Sequence, residues 1–382
     1  MGLIVHRRTV FLAALAATAA VCSGCSQLLA IGHNAVVTGV ALDAGPGEMI
    51  RTTLQMYHHG GPTGQTGEGG GGGGGGGSSG GGGSSNQPIV ITLQGAGVDF
   101  TQAVVSAQAQ TDERLAFWAT QILLIGQRLA SHGVRTPLDA LLRYEDFSLL
   151  TQVVIVSGDA GKLLQSHQPG GSADEISDRL EHSTGTAMGS IPMSFWRFMA
   201  RLPTPYNAAW APVLTQTTQG YRAAGLAVFH GDSLAGIVNQ TQSLALQWIL
   251  KPRGFGYITF TRHSATPVTA LIVTRKKRLE LHNSTSATLS LDLGAEIEQG
   301  SGLAINDART RRSLERAAAN AASQQLRAAL NSLQSMGTDV IGLGEQARER
   351  DPSIVSRWPN IFRHMHIQLN SRVHLHASGR LL

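Results

Sequence analysis

Cysteine is nearly absent from this sequence: Cys22 and Cys25 are the only two in 382 residues. Past position 25 the chain can form no internal disulfide and offers no thiol nucleophile. A disulfide-stapled scaffold and a cysteine hydrolase are both excluded. Stability must come from core burial, and the length is ample for two or three domains. Long apolar runs are missing too. Val10 to Val21 carries no charge, but as a helix it reaches only about 18 Å, against roughly 30 Å for a hydrocarbon core. Strong charge of one sign is also lacking: a formal net charge of +5, spread along the chain, gives no signal for nucleic acid. There is no G-x-S-x-G. The stretch Ser157 to Leu164 (SGDAGKLL) has a Gly-Lys pair without the first glycine spacing or the Ser/Thr of a phosphate-binding loop.

What is present begins at the N-terminus. Arg7 and Arg8, the apolar run after them and a small-residue site form the pattern of a secretory signal peptide. Cys22-Ser23-Gly24-Cys25 has the C-x-x-C form of a redox pair or half a zinc site. Neither the βαβ context of the first nor the further ligands of the second is there. Val21-Cys22-Ser23-Gly24-Cys25 instead resembles the lipobox of bacterial lipoproteins, with Cys22 where Leu is usual. That resemblance implies a diacylglyceryl group on Cys25, a signal peptide over residues 1–24 and Cys25 as the first mature residue.

Further on, Asn34 to Asp43 and Glu48 to Tyr57 read as a β-hairpin about Ala44-Gly45-Pro46-Gly47, since Ile50, Thr52, Leu54 and Met56 alternate with Arg51, Thr53, Gln55 and Tyr57. The Gly/Ser loop 60–87 has nothing to bury and a large ordering entropy. A strand from Pro88 follows at once, so the loop is expected to join two strands of one sheet. A helix from Asp99, a buried strand from Phe117 to Gly126, two short helices about Gly133, a strand from Thr151 and a helix capped by Asp159 then alternate. That order indicates a mixed sheet packed by helices. A Gly/Pro turn at 166–173, an internal sub-boundary, precedes a polar helix to His182 and a short helix capped by Ser194. Pro203, Pro205 and Pro212 divide an N-terminal α+β region (25–212) from a C-terminal α+β domain (213–382).

In the second part, a hairpin turns on Gly231-Asp232 and a helix covers about 240–250. Strands are expected at 256–261, 268–274 and 278–282. Leu289, Leu291, Leu293, Ala295 and Ile297 share one face in period two. A long helix runs from Asn306 or Asp307 to about Met336, with Leu314, Ala318, Ala321, Leu326, Leu330 and Leu333 as its stripe. A last strand faces Met365, Ile367, Leu369, Val373 and Leu375 one way. The expected fold is a multidomain α+β ectodomain of mixed and antiparallel sheets packed by helices, ending in a strand meander plus one long helix.

Two clusters bear on chemistry. His364, His366, His374 and His376 share a strand face, and i, i+2 histidines can grip a metal. Gln368, Asn370 and Arg372 share that face without a carboxylate partner, which favours an ordinary solvated face. Arg275-Lys276-Lys277-Arg278 reads as a solvated hairpin turn between strands. The alternative, contact with anionic headgroups, is worth about 1 kcal/mol per charge. Carboxylate pairs such as Asp174-Glu175 stand alone. No catalytic, cofactor-binding or metal residue is assigned, and Cys25 is the sole site residue.

The order of segments resembles the Ger(x)C spore germination lipoproteins, the C subunits of nutrient germinant receptors. The similarity runs from Cys25 to near Gly379. It is carried by AIGHNAVVTGVALD, ERLAFWATQILLIGQRLASHGVRTPLDALLR, GSIPMSFWRFMARL, AGLAVFHGDSLAGIV and, most specifically, MGTDVIGLGEQARERDPSIVSRW. In the last, Gly337, Asp339, Gly342, Gly344, Glu345, Pro352 and Trp358 stand at the family spacing. Ser26 and Gln127 depart from the family's usual Trp and Glu. The resemblance implies a non-enzymatic subunit with no cofactor, lipid-anchored through Cys25 at the outer face of the spore inner membrane. Its implied partners are an A-type and a B-type membrane subunit. Two rival readings are a solute-binding lipoprotein of an uptake system, which calls for two lobes of repeated β-α units, and a secreted metallohydrolase using the terminal histidines.

Overall fold

The computed structural model of the chain describes residues 34–58, 89–144, 146–166, 172–182, 190–218, 220–251, 256–261, 267–299 and 307–376. The expected first hairpin is formed by β1 (Asn34–Ala44) and β2 (Ile50–His58), with Asp43 opposite Arg51. Gly47 turns it at a φ of +64°, which glycine adopts without steric cost. β3 (Ile89–Gly97) pairs antiparallel with β2, His58 opposite Ile89. The glycine-rich stretch therefore does join neighbouring strands of one sheet, and itself lies outside the described residues.

The sheet continues through β4 (Arg114–Ala116), β5 (Ile122–Gly126), β6 (Gln152–Ser157), β7 (Trp210–Thr217), β8 (Gly220–His230) and β9 (Ser233–Asn239). Its order is β3-β2-β1-β5-β6-β7-β8-β9, with β4 paired to β1. β1, β5, β6 and β7 run parallel and the flanking strands antiparallel. The parallel centre is buried on both faces, which is why β5 and β6 read as unbroken apolar runs. Leu123, Ile125, Val153 and Ile155 share a core with the helices Phe100–Gln108, Gln127–His132 and Arg135–Leu142. Ile122, Leu124, Val154 and Val156 pack on the other side with the helices Ala160–Leu164 and Ser172–His182.

One expectation shifts here. The strand expected from Phe117 begins at Ile122, because Phe117 turns inward to stack edge-on against Phe100 and Tyr144. The division placed after Pro212 falls within β7, where Pro212 opposes Leu226, and the same sheet runs on to Asn239. Ser194 sits at the start of the helix Phe195–Arg201, though its hydroxyl does not cap it.

The second sheet has the order β10 (Tyr257–Thr261), β11 (Pro267–Asn283), β12 (Ser286–Gln299) and β13 (His366–His376). The strands expected at 268–274 and 278–282 are one continuous β11, and the four basic residues lie inside it rather than in a turn. Arg275 pairs with Leu293 and Arg278 with Ser290, so the backbone ladder to β12 holds this stretch in strand. The face expected on β12 is buried in full, from Leu289 through Ile297. The long helix spans Ala308–Met336, capped by Asp307, which accepts from Thr310 N at 2.8 Å, and closed by Gly337 at a φ of +68°. Ala322 rather than Ala321 completes its buried stripe. This helix carries the chain back across the sheet, and β13 lies parallel to β12, as such a crossover permits. The C-terminal part is thus a three-stranded meander with a parallel strand added.

One apolar core joins both sheets, from Val37 through Trp248 to Leu375, and residues 35–382 form one compact unit. The fold is α+β, as expected. Among the described residues it lacks the two repeated β-α lobes a solute-binding lipoprotein calls for. Among the described residues, no helix is long and apolar enough to cross a membrane.

Candidate functional site

Cys25, the expected lipid carrier, lies outside the described residues, as does Cys22. The two clusters singled out for chemistry can be placed. His364 ends the helix Trp358–His364 and is not on the expected strand face; His366, His374 and His376 project from β13 into solvent, while Ile367, Val373 and Leu375 on the alternate positions are buried. His374 Nε2 lies 3.1 Å from Asp292 Oδ1, a single contact. Among the described residues, no three His, Cys, Asp or Glu side chains gather as a metal would need. The basic run is spread by the β11 alternation: Arg275 donates to the Trp248 carbonyl at 2.8 Å, and Arg278 meets Glu280 at 2.6 Å.

The residues that organise the molecule are two buried aspartates. Asp43, at the end of β1, accepts from Ala160 N at 2.9 Å and Gly161 N at 2.8 Å, tying the hairpin to the first turn of the helix Ala160–Leu164. Arg51 lies 3.6 Å from it and 2.5 Å from Asp159. Burial pushes the Asp43 carboxyl up, the two amides and Arg51 pull it down, and burial prevails. Asp339 is fully buried. Its Oδ1 accepts from Ile341 N and Gly342 N, both at 3.0 Å, and its Oδ2 from Gly344 N at 2.6 Å and Trp358 Nε1 at 3.0 Å. Here too burial pushes the carboxyl above its ordinary range, against four donors. The Asp339 carbonyl accepts from Ala208 N at 2.8 Å. The glycines of the 336–358 block now have a reason: Gly342 has a φ of +92°, and a side chain on Gly344 would collide with the Tyr206 carbonyl.

Beside this junction lies a cavity of about 790 Å³. Trp196, Tyr206, Trp210, Leu250 and Met193 line it, with Arg197, Arg201, Lys251, Glu181 and Glu345 among them. Arg201 stacks on Trp210 at 4.2 Å, and Glu345 is engaged by Arg348 at 2.8 Å. Lys251 is only 7% exposed, and burial alone pushes its amine down. Its ammonium makes no hydrogen bond or ion pair among the described residues. Trp210 Nε1 and Asn207 Oδ1 are likewise buried without partners. The arrangement is suited to holding an apolar body and has no paired acid, base or nucleophile for turning it over. The sequence showed no sign of it, since its walls come from four segments far apart in the chain and Lys251 reads locally as a helix end.

With the geometry in place, comparison with known proteins adds two findings. Residues 30–216 match the family model described as the spore germination protein N-terminal domain, and residues 224–379 match spore germination B3/GerAC like, C-terminal. The structure is similar to the crystal structure of the GerBC protein, at a TM-score of 0.57 and 14% identity over 88% of this chain and 96% of that one. That likeness speaks for the fold. No curated protein sequence matches significantly.

Proposed function

The chain belongs to the spore germination GerAC family, and from that premise we propose that it is a lipid-anchored, non-enzymatic C-type subunit of a nutrient germinant receptor. The observation that carries this reading is the pair of family matches spanning nearly the whole chain after residue 30. Cys25 carries the lipid, in a sequence context that resembles a lipobox. The ectodomain stands at the outer face of the spore inner membrane, and its surfaces bind the A-type and B-type membrane subunits. Acyl chains together with protein contacts suffice to hold a subunit at a bilayer.

The test is Cys25→Ala in spores. Membrane fractionation should show the variant lost from the inner membrane, and nutrient-triggered germination should fall with it. Germination and membrane association at the level of the unaltered chain would sink the anchoring part of the reading. Failure of the A-type and B-type subunits to co-purify with the intact chain would sink the assembly part.

A further inference from the structure

We propose that the end of the first sheet bearing Trp118, Leu149, Leu150 and Trp196 is the face this protein lays on the lipid bilayer; the inference rests on the reading of Cys25 as the lipid carrier. Strands β1, β5 and β6 are parallel, so all three start at one end. The segments before β5 and β6 are bonded there in series. Thr120 Oγ1 donates to the Val37 carbonyl at 3.1 Å and Gln121 N to the Thr38 carbonyl at 2.8 Å. Thr151 Oγ1 then donates to the Thr120 carbonyl at 2.8 Å, and Trp196 N to the Leu149 carbonyl at 3.1 Å. Trp118, Leu149, Leu150 and Trp196 therefore crowd the end from which β1 begins.

Val98, Val105 and Leu142 are exposed elsewhere, but both exposed tryptophans and the most exposed leucine stand at this end. Leu150 is 74% exposed, Trp118 62%, Leu149 48% and Trp196 45%, whereas Trp210, Trp248 and Trp358 are buried. Large apolar side chains left together in water mark an interaction surface, and tryptophan is enriched where protein meets the membrane–water interface. Arg197, 5.2 Å from the Trp196 ring, adds a cation suited to anionic headgroups. Asp146 at the same end is turned to the Phe117 amide at 3.1 Å. The opposite end of the same strands carries the Arg51–Asp159 ion pair, with Met49 and Val98 as its exposed apolar side chains and no tryptophan.

The occupant follows from where the chain leaves. Cys25 precedes Asn34, the first residue of β1, by a stretch whose full extension is about 30 Å. A lipid on Cys25 thus holds this end, and not the opposite one, within that distance of the bilayer. Acyl chains alone tether without orienting. An interfacial patch supplies the second contact that sets the attitude of the domain.

The experiment uses the full lipid-bearing chain in vesicles of phosphatidylcholine and phosphatidylglycerol, part of the phosphatidylcholine brominated in mid-chain. Bromolipid should quench a fraction of the tryptophan emission. That fraction should vanish in the Trp118→Phe/Trp196→Phe double variant and shrink in Leu150→Asp, with melting temperatures unchanged. Equal quenching of the double variant, or none in the unaltered chain, overturns the proposal once mass spectrometry shows lipid on Cys25 and the protein floats with the vesicles. If the chain produced in its own cells carries no lipid on Cys25, the anchoring reading is sunk, and the argument from reach falls with it. Shielding of Trp118 and Trp196 by detergent-solubilised receptor subunits, without quenching by bromolipid, makes the face a protein interface and also overturns the proposal.

Discussion

Asp339 draws four donors from three turns of chain onto two oxygens, and each oxygen serves two of them. An amide in its place can accept at only one of the two positions. In Asp339→Asn, either Ile341 and Gly342 or Gly344 and Trp358 would then face an NH2 group. Orphaning two buried donors should cost about 3 kcal/mol, to be read by urea unfolding of the unaltered and variant chains. Lys251 predicts the opposite sign. Its folded amine titrates below the ordinary 10.5 because burial disfavours the ammonium. Between the folded value and 10.5 the unfolded chain binds more protons, so stability rises with pH across that window. Lys251→Met should be more stable than the unaltered chain at pH 7, with the gap narrowing toward pH 10.5. A gap that stays constant with pH would show that the amine is not the cause. Neither residue was legible as such. Asp339 could be placed in a family-like block, but an aspartate before glycines reads locally as turn material, and only the fold shows its carboxylate at the centre. The expectation at Cys25 rests on local context alone, and the residue lies outside those described.

At the scale of elements, a chemical role for each residue pattern decided what could be read. The helix Gln240–Leu250 falls at its expected bounds because Asn239 and Gln242 form a capping box and the apolar positions repeat behind it. β12 and β13 were legible through strict alternation. β11 was not, since four consecutive cations suggest solvent and a turn, whereas the ladder to β12 keeps them in strand. The parallel placement of β13 is a long-range pairing that no local window contains. The block from Gly337 to Trp358 supplies the element-scale prediction. A methyl on Gly344 would press on the Tyr206 carbonyl and the Trp358 indole, neither of which has room to yield. Gly344→Ala should therefore lower stability by about 2 kcal/mol by overpacking, seen as a lower melting temperature. An unchanged melting temperature would mean the 206–208 segment moves freely, contrary to its bond from Ala208 N to the Asp339 carbonyl.

For the whole molecule, the continuity of the core makes a specific demand. Residues of both sheets belong to one apolar cluster, and Gln242 from the connecting helix bonds Ser332 of the long helix at 2.9 Å. Unfolding should then be a single cooperative transition, with tryptophan fluorescence and far-ultraviolet circular dichroism coincident in denaturant. Two separated transitions would mean that the two sheets hold together only weakly. Sequence patterns suggested an edge near Pro212, because prolines and turn residues cluster there. β7, β8 and β9 extend the first sheet past those prolines, with β7 paired along the edge of β6 that β5 leaves free, a long-range pairing no local window contains.

The pairing of His58 with Ile89 has a further consequence. The chain departs into the glycine-rich stretch and comes back at neighbouring points, and Val36 opposite Tyr57 puts both points at the end where β1 begins. Loop-closure entropy grows only slowly with length, about 0.6 kcal/mol per doubling, so cargo of almost any size can be spliced there without disturbing a strand. The molecule carries a natural socket at the end where β1 begins, and a dye seated in it would report on whatever that end faces.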